Sequence, residues 1–121
     1  MGFSIRKRIR SFGYAFKGVW YALRTQHNLW IQFTILAIAI VFGFILHISH
    51  TEWLVIIGVS GVVLALELVN TALESFLDSY YPEHDPKTGR IKDIAAGAVL
   101  MAAIAAAVAG LIIFLPKIFV L

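Results

Sequence analysis

The sequence predicts an all-α membrane protein, with an N-terminal amphipathic surface helix followed by three transmembrane helices. Three observations carry this. Of 121 residues, 60% are hydrophobic and 14% charged, against about 25% charged in a soluble domain. Three apolar stretches are each long enough to cross a hydrocarbon core of about 30 Å. Lysine and arginine gather at the N-terminus and in one middle loop, beside the apolar stretches. The length suits a single domain over residues 1–121. There is no cysteine, which excludes disulfides and thiolate chemistry. The net charge of +3, placed beside membrane spans, favours anionic head groups over nucleic acid.

Residues 1–28 form the surface helix. Arg6, Lys7, Arg8, Arg10, Lys17 and Arg24 alternate with Phe3, Ile5, Ile9, Phe12, Phe16, Trp20 and Leu23, the composition of a helix lying in the inner leaflet. No clean apolar core follows the basic start, so a signal peptide is not expected. Gly13 is expected to break the helix. The spans are placed at 30–48, 53–77 and 94–115. Trp30 marks one interface. His47 to Glu52 form a polar turn. The loop from Asp78 to Asp93 holds Pro82, Pro86 and Gly89 and is not one continuous helix. Pro116-Lys117 is expected to end the last span. That span is rich in alanine and glycine, which lets membrane helices approach closely. Three spans make a thin bundle for hiding carboxylates, so packing against other copies of the chain is expected. Six basic residues precede the first span and three lie in the second loop, while the first loop has none. The positive-inside rule therefore puts the N-terminus and the second loop in the cytoplasm.

Six of the seven acidic residues fall between Leu64 and Ala98. At about 100° per residue, Glu67, Asn70, Thr71, Glu74 and Asp78 share a helix face. A charge at the centre of a membrane helix costs about 2.5–3.5 kcal/mol on insertion scales, so these carboxylates need partners, protons, metal or water. Glu67 and Glu74 are two turns apart, about 10.5 Å along the axis, too far to grip one small ion together. The spacing suits a division of labour. The shallower Glu74 would hold Mg²⁺ on a nucleotide, and the deeper Glu67 would take a proton from a hydroxyl presented by the bilayer. The bland alternative is that both only hydrogen-bond between helices. Arg90, Lys92 and Asp93 at the start of span three suggest a phosphate site beside a helix N-terminus, or a topology anchor. The Gly13–Gly18 spacing lacks the Lys-Ser/Thr ending of a phosphate-binding loop. His47 and His50 read as polar caps at the opposite interface.

The run Glu67-Leu-Val-Asn70-Thr-Ala-Leu-Glu74, then Asp78, then Gly89-Arg-Ile-Lys92-Asp93-Ile-Ala-Ala-Gly-Ala-Val resembles the signature of the prokaryotic diacylglycerol kinase family, small membrane lipid kinases that include undecaprenol kinase. The resemblance covers nearly the whole chain. It implies a homotrimeric bundle with active sites shared between neighbouring chains, in the bacterial inner membrane, transferring the γ-phosphate of Mg·ATP to a lipid hydroxyl. By position it implies Glu67 as catalytic base, Glu74 as metal ligand and Asn70 as support within the same motif. Lys92 and Asp93 then match nucleotide contacts, as do Glu83, His84 and Asp85 in the loop and Tyr14 and Lys7 on the surface helix. One departure is visible: Gln26 stands where the family carries a second metal-binding glutamate, and an amide is the weaker Mg²⁺ ligand. Asn28-Leu-Trp-Ile-Gln resembles the undecaprenol branch, although Trp30 replaces that branch's arginine. Gln32 stands where the diacylglycerol branch has another glutamate. Undecaprenol is therefore the expected substrate, with diacylglycerol the alternative. Two readings from other classes are an ion conductor, disfavoured by the dry stretches Val55–Leu66 and Leu100–Phe114, and a regulatory subunit without catalysis.

Overall fold

The computed structural model describes residues 2–81 and 85–120. They form four helices: α1 (Ile5–Thr25), α2 (His27–Ile45), α3 (His50–Tyr80) and α4 (Pro86–Val120). No strand occurs among the described residues. The last three are long and apolar enough to cross a membrane. Most of their large apolar side chains are exposed, including Ile57, Val62, Leu100, Ile104 and Ile112. In water that surface would be prohibitive, and in a bilayer it is ordinary.

The expected surface helix and spans are present, with different limits. α1 runs through Gly13 without a break, because both Gly13 and the residues around it are exposed and nothing inserts into its hydrogen-bond ladder. The expected polar turn from His47 to Glu52 is shorter: α3 already begins at His50. α3 and α4 also reach into the loop expected from Asp78 to Asp93, leaving the connection at residues 81–85. α4 continues past Pro116 to Val120. A proline removes one ladder bond, and close to a helix end that is tolerated.

Local chemistry sets these boundaries. Ser4 caps α1, its hydroxyl accepting from the Lys7 N–H at 3.4 Å. A single extended residue, Gln26 (φ −117°, ψ 112°), separates α1 from α2. α2 ends in a left-handed turn at His47, φ 52°, with the Ile48 N–H returning to the Gly43 carbonyl at 3.1 Å; this is the Schellman arrangement, with histidine where glycine is usual. Ser49 and Glu52 then form a reciprocal capping box at the start of α3. Glu52 also pairs with Lys117 at 3.1 Å, tying the start of α3 to the end of α4. His47 and His50 thus sit in a helix-ending and a helix-starting turn, as their reading as polar caps expected. At the start of α4, Asp85 accepts from the Lys87 N–H at 2.8 Å and Pro86 takes the first helical position, which needs no N–H.

An apolar cluster lies at the histidine end. Ile48, Ile56 and Ile113 are buried there, with Leu36, Leu46, Trp53 and Phe114 against them. α3 and α4 are the closely packed pair, and α2 closes on α3. Gly43 permits this contact: a Cβ there would lie 2.6 Å from the end of the Trp53 ring and 3.1 Å from Ile48. The indole has little room to retreat, since it packs against Phe44 at a centroid distance of 4.9 Å. Gly43→Val is accordingly expected to destabilise the fold by about 1–3 kcal/mol, seen as a lower unfolding midpoint in detergent. Adding Trp53→Ala should recover part of that loss, and an unchanged midpoint for the single variant would contradict the packing.

Candidate active site

The candidate site is built on the half of α3 away from that packed end. α3 has 31 residues, about 46 Å of helix, which exceeds a hydrocarbon core of about 30 Å. The apolar first half occupies the membrane, and the polar second half therefore approaches and passes one interface. Glu67 is the deepest acid and is buried, 5% exposed. One turn on, the buried Thr71 hydroxyl donates to the Glu67 carbonyl at 2.9 Å, so the threonine spends its hydroxyl on its own helix.

Asn70 and Glu74 form the second layer. The Asn70 side-chain N–H donates to a Glu74 carboxylate oxygen at 3.1 Å, which fixes the rotamer of both. The Asn70 Oδ1 is buried without a partner among the described residues. An unmet buried acceptor costs about 1–3 kcal/mol, so this atom is suited to a donor from outside the protein, such as a metal-bound water. Among the described residues, no three His, Cys, Asp or Glu side chains come together. A closed protein cage for a cation is thus absent from that part of the chain, whereas a single oriented carboxylate fits Mg²⁺ that arrives on a polyphosphate.

Further out, Lys92 on α4 pairs with Asp78 on α3. This contact ties α4 to α3 one turn beyond Glu74. Arg90 and Asp93 are exposed on the same turns. The helix N-terminus expected beside them lies earlier, at Asp85–Pro86, where the Lys87 N–H is answered by the Asp85 side chain and the Gly89 N–H by the Asp85 carbonyl at 3.0 Å. The cations at 90 and 92 consequently lie on the helix body, a turn or more past its start. Glu83 and His84 lie outside the described residues.

The residues of α1 stand apart. Tyr14 is exposed, with the Lys17 ammonium over its ring at 5.8 Å, and Lys7 is exposed a little under two turns earlier. Gln26 is half-buried at the corner between α1 and α2 and makes no cap for α2.

Two openings lie along α3, the first beside its polar half and the second along its apolar half. One, about 490 Å³, lies between α1 and α3 and is lined by Ala15, Gly18, Tyr21, Ala22, Thr71 and Ser75 among others. The other, about 410 Å³, is an apolar groove among α2, α3 and α4 whose lining includes Gln32, Ile35, Ser60, Leu64, Ala103 and Phe114. Sequence reasoning missed the Lys92–Asp78 pair because its members are 14 residues apart across a loop. It also missed the capping role of Asp85, although Asp-Pro before an apolar run is a readable helix start.

Residues 13–114 match the family described as prokaryotic diacylglycerol kinase. An undecaprenol kinase from Bacillus subtilis is 35% identical over 113 residues, which is 93% of this chain and 92% of that protein. A diacylglycerol kinase from Synechocystis sp. is 44% identical over 108 residues, 88% of this chain but 61% of that protein.

The Lys92–Asp78 pair is exposed on both sides, 34% and 66%, so its contribution to stability is small. Asp78→Asn is expected to shift the unfolding free energy by less than about 1 kcal/mol. A larger loss would show that the pair holds α3 and α4 together.

Proposed function

The chain belongs to the prokaryotic diacylglycerol kinase family and is a lipid kinase; on that premise we propose that it transfers the γ-phosphate of Mg·ATP to undecaprenol at the cytoplasmic face of the membrane. The observation that carries the reaction is the buried carboxylate of Glu67, set two turns deeper than Glu74 on one helix, with Asn70 between them holding Glu74. A base placed below a polyphosphate site meets a hydroxyl that rises from the bilayer.

In this reading Glu67 orients the lipid hydroxyl and accepts its proton as the oxygen attacks the γ-phosphorus. The new O–P bond forms while the bond to the β-phosphate oxygen breaks and ADP leaves. Such transfers ask the protein mainly for positioning and charge neutralisation. Lys92, steadied by Asp78, neutralises the terminal phosphate, and Asp93, Asp85, Tyr14 and Lys7 contribute to nucleotide binding, as do Glu83 and His84. Glu74 and, more weakly, Gln26 would hold Mg²⁺, with Asn70 keeping Glu74 in place. When bound, Mg²⁺ neutralises phosphate charge. The exposed apolar faces and the alanine-rich α4 support assembly as a homotrimer in the bacterial inner membrane, and the basic N-terminus and second loop support a cytoplasmic site.

Undecaprenol is favoured by the near-complete match to an undecaprenol kinase over both lengths. It is also favoured by Gln32, a neutral side chain in the lining of an otherwise largely apolar groove, which suits a hydrocarbon chain ending in one hydroxyl. The 44% identity to a diacylglycerol kinase favours the second reading, diacylglycerol. Transfer of labelled γ-phosphate in mixed micelles, with each lipid offered separately, distinguishes them: undecaprenol is expected to be the better acceptor by kcat/KM, and preference for diacylglycerol would overturn the choice. A second expectation concerns the amide at the corner. Gln26→Glu should lower the Mg²⁺ concentration that gives half-maximal transfer several-fold, because a carboxylate is the stronger ligand. An unchanged requirement would remove Gln26 from metal binding.

A further inference from the structure

The corner between α1 and α2 contains a bond whose purpose the site does not explain. α1 ends at Thr25, and Gln26 is extended. The Gln26 N–H still reaches the Ala22 carbonyl at 2.8 Å. The next carbonyl, Leu23, would receive the N–H of residue 27 if the helix continued, but the break turns His27 into the first residue of α2. Last-turn carbonyls of this kind need a donor from elsewhere. Here it is a side chain: the Trp30 indole N–H donates to the Leu23 carbonyl at 2.6 Å. Indole is a donor only, so this is the single hydrogen bond it can give.

The geometry points to Trp30 as a positioning residue that sets the angle of α1 against the membrane spans. Within the chain, the other holds on that angle are a small contact of α1 with α3 and little buried surface. α1 buries Ala22 alone, and Leu29 is the matching buried residue on α2. The remaining face of α1 is exposed from Ile5 to Tyr21, apart from the half-buried Val19. The indole bond therefore acts at the pivot of a long lever. Tyr14 lies 12 residues before Gln26, about 18 Å along the helix, so a tilt of about 10° at the corner moves it by roughly 3 Å. The functional consequence rests on the proposed role of Tyr14 and Lys7 in nucleotide binding. With the corner fixed, α1 presents them at one height relative to the spans. Without the bond, α1 samples a range of tilts and the nucleotide meets an incomplete site more often.

The test separates angle from activity. The chain has no native cysteine, so Ser11→Cys and Ile45→Cys, both at exposed positions, accept spin labels on α1 and α2. Dilution with unlabelled protein confines the measured distance to one chain. Trp30→Phe removes the donor, and the benzothiophene analogue of tryptophan at position 30 removes it while keeping ring size. Both are expected to broaden the distance distribution and to raise the KM for ATP by about three- to tenfold, the range that one lost hydrogen bond sets, with kcat little changed. Broadening without a change in KM would support the positioning role and overturn the nucleotide reading of α1. An unchanged distribution with the benzothiophene analogue would overturn the proposal, as would a joint fall in kcat and kcat/KM at an unchanged distance, the mark of a packing role alone.

Discussion

A carboxylate buried inside a membrane helix is the constraint on which the rest of this molecule depends. Glu67 is nearly inaccessible, and a charge at that depth is costly unless it is answered. The helix that carries it is longer than a bilayer needs, so one end of α3 leaves the apolar core and brings Asn70, Glu74 and Asp78 to the interface in sequence. In the proposed reading, depth along one helix becomes order along a reaction: Glu67 would serve as base for a lipid hydroxyl below, Glu74 as ligand for a nucleotide-bound cation above it, and Lys92 from α4 would stand at the rim.

The two ends of the bundle divide stability from chemistry. At the histidine end, apolar packing around Ile48, Ile56 and Ile113, the Schellman turn, the capping box and the Glu52–Lys117 pair hold the three spans together. At the other end, buried Ala22, Leu29 and Leu77 are joined by polar contacts: Asn70 with Glu74, Lys92 with Asp78, and Trp30 with Leu23. The acidic and basic side chains of the candidate site gather at this end, on the second half of α3 and the start of α4.

Much of the fold was legible in the sequence, because hydropathy reports spans directly and the helical period put Glu67, Asn70 and Glu74 on one face. The boundaries were less so. Gly13 and Pro116 are helix breakers by propensity, yet α1 and α4 pass through them, since an exposed glycine costs only about 1 kcal/mol and a proline near a helix end removes little. The loop from Asp78 to Asp93 shrank for a related reason: Asp85 and Pro86 form a strong helix start, so Gly89 to Asp93 became helix body. Within the site, the local pair Asn70–Glu74 followed from spacing, whereas Lys92–Asp78 and Trp30–Leu23 depend on how one helix meets the next. Periodicity within a helix carries no information on that.

The central claim is that Glu67 takes the proton from the lipid hydroxyl, and Glu67→Gln tests it most directly, since the amide keeps size and hydrogen-bonding capacity while losing basicity. The rate of a single turnover, measured with ATP bound and lipid saturating, is predicted to fall by about 10²–10⁴, with nucleotide affinity and the unfolding midpoint retained. Transfer at close to the unsubstituted rate would contradict the account and leave Glu67 as a group that only bridges helices.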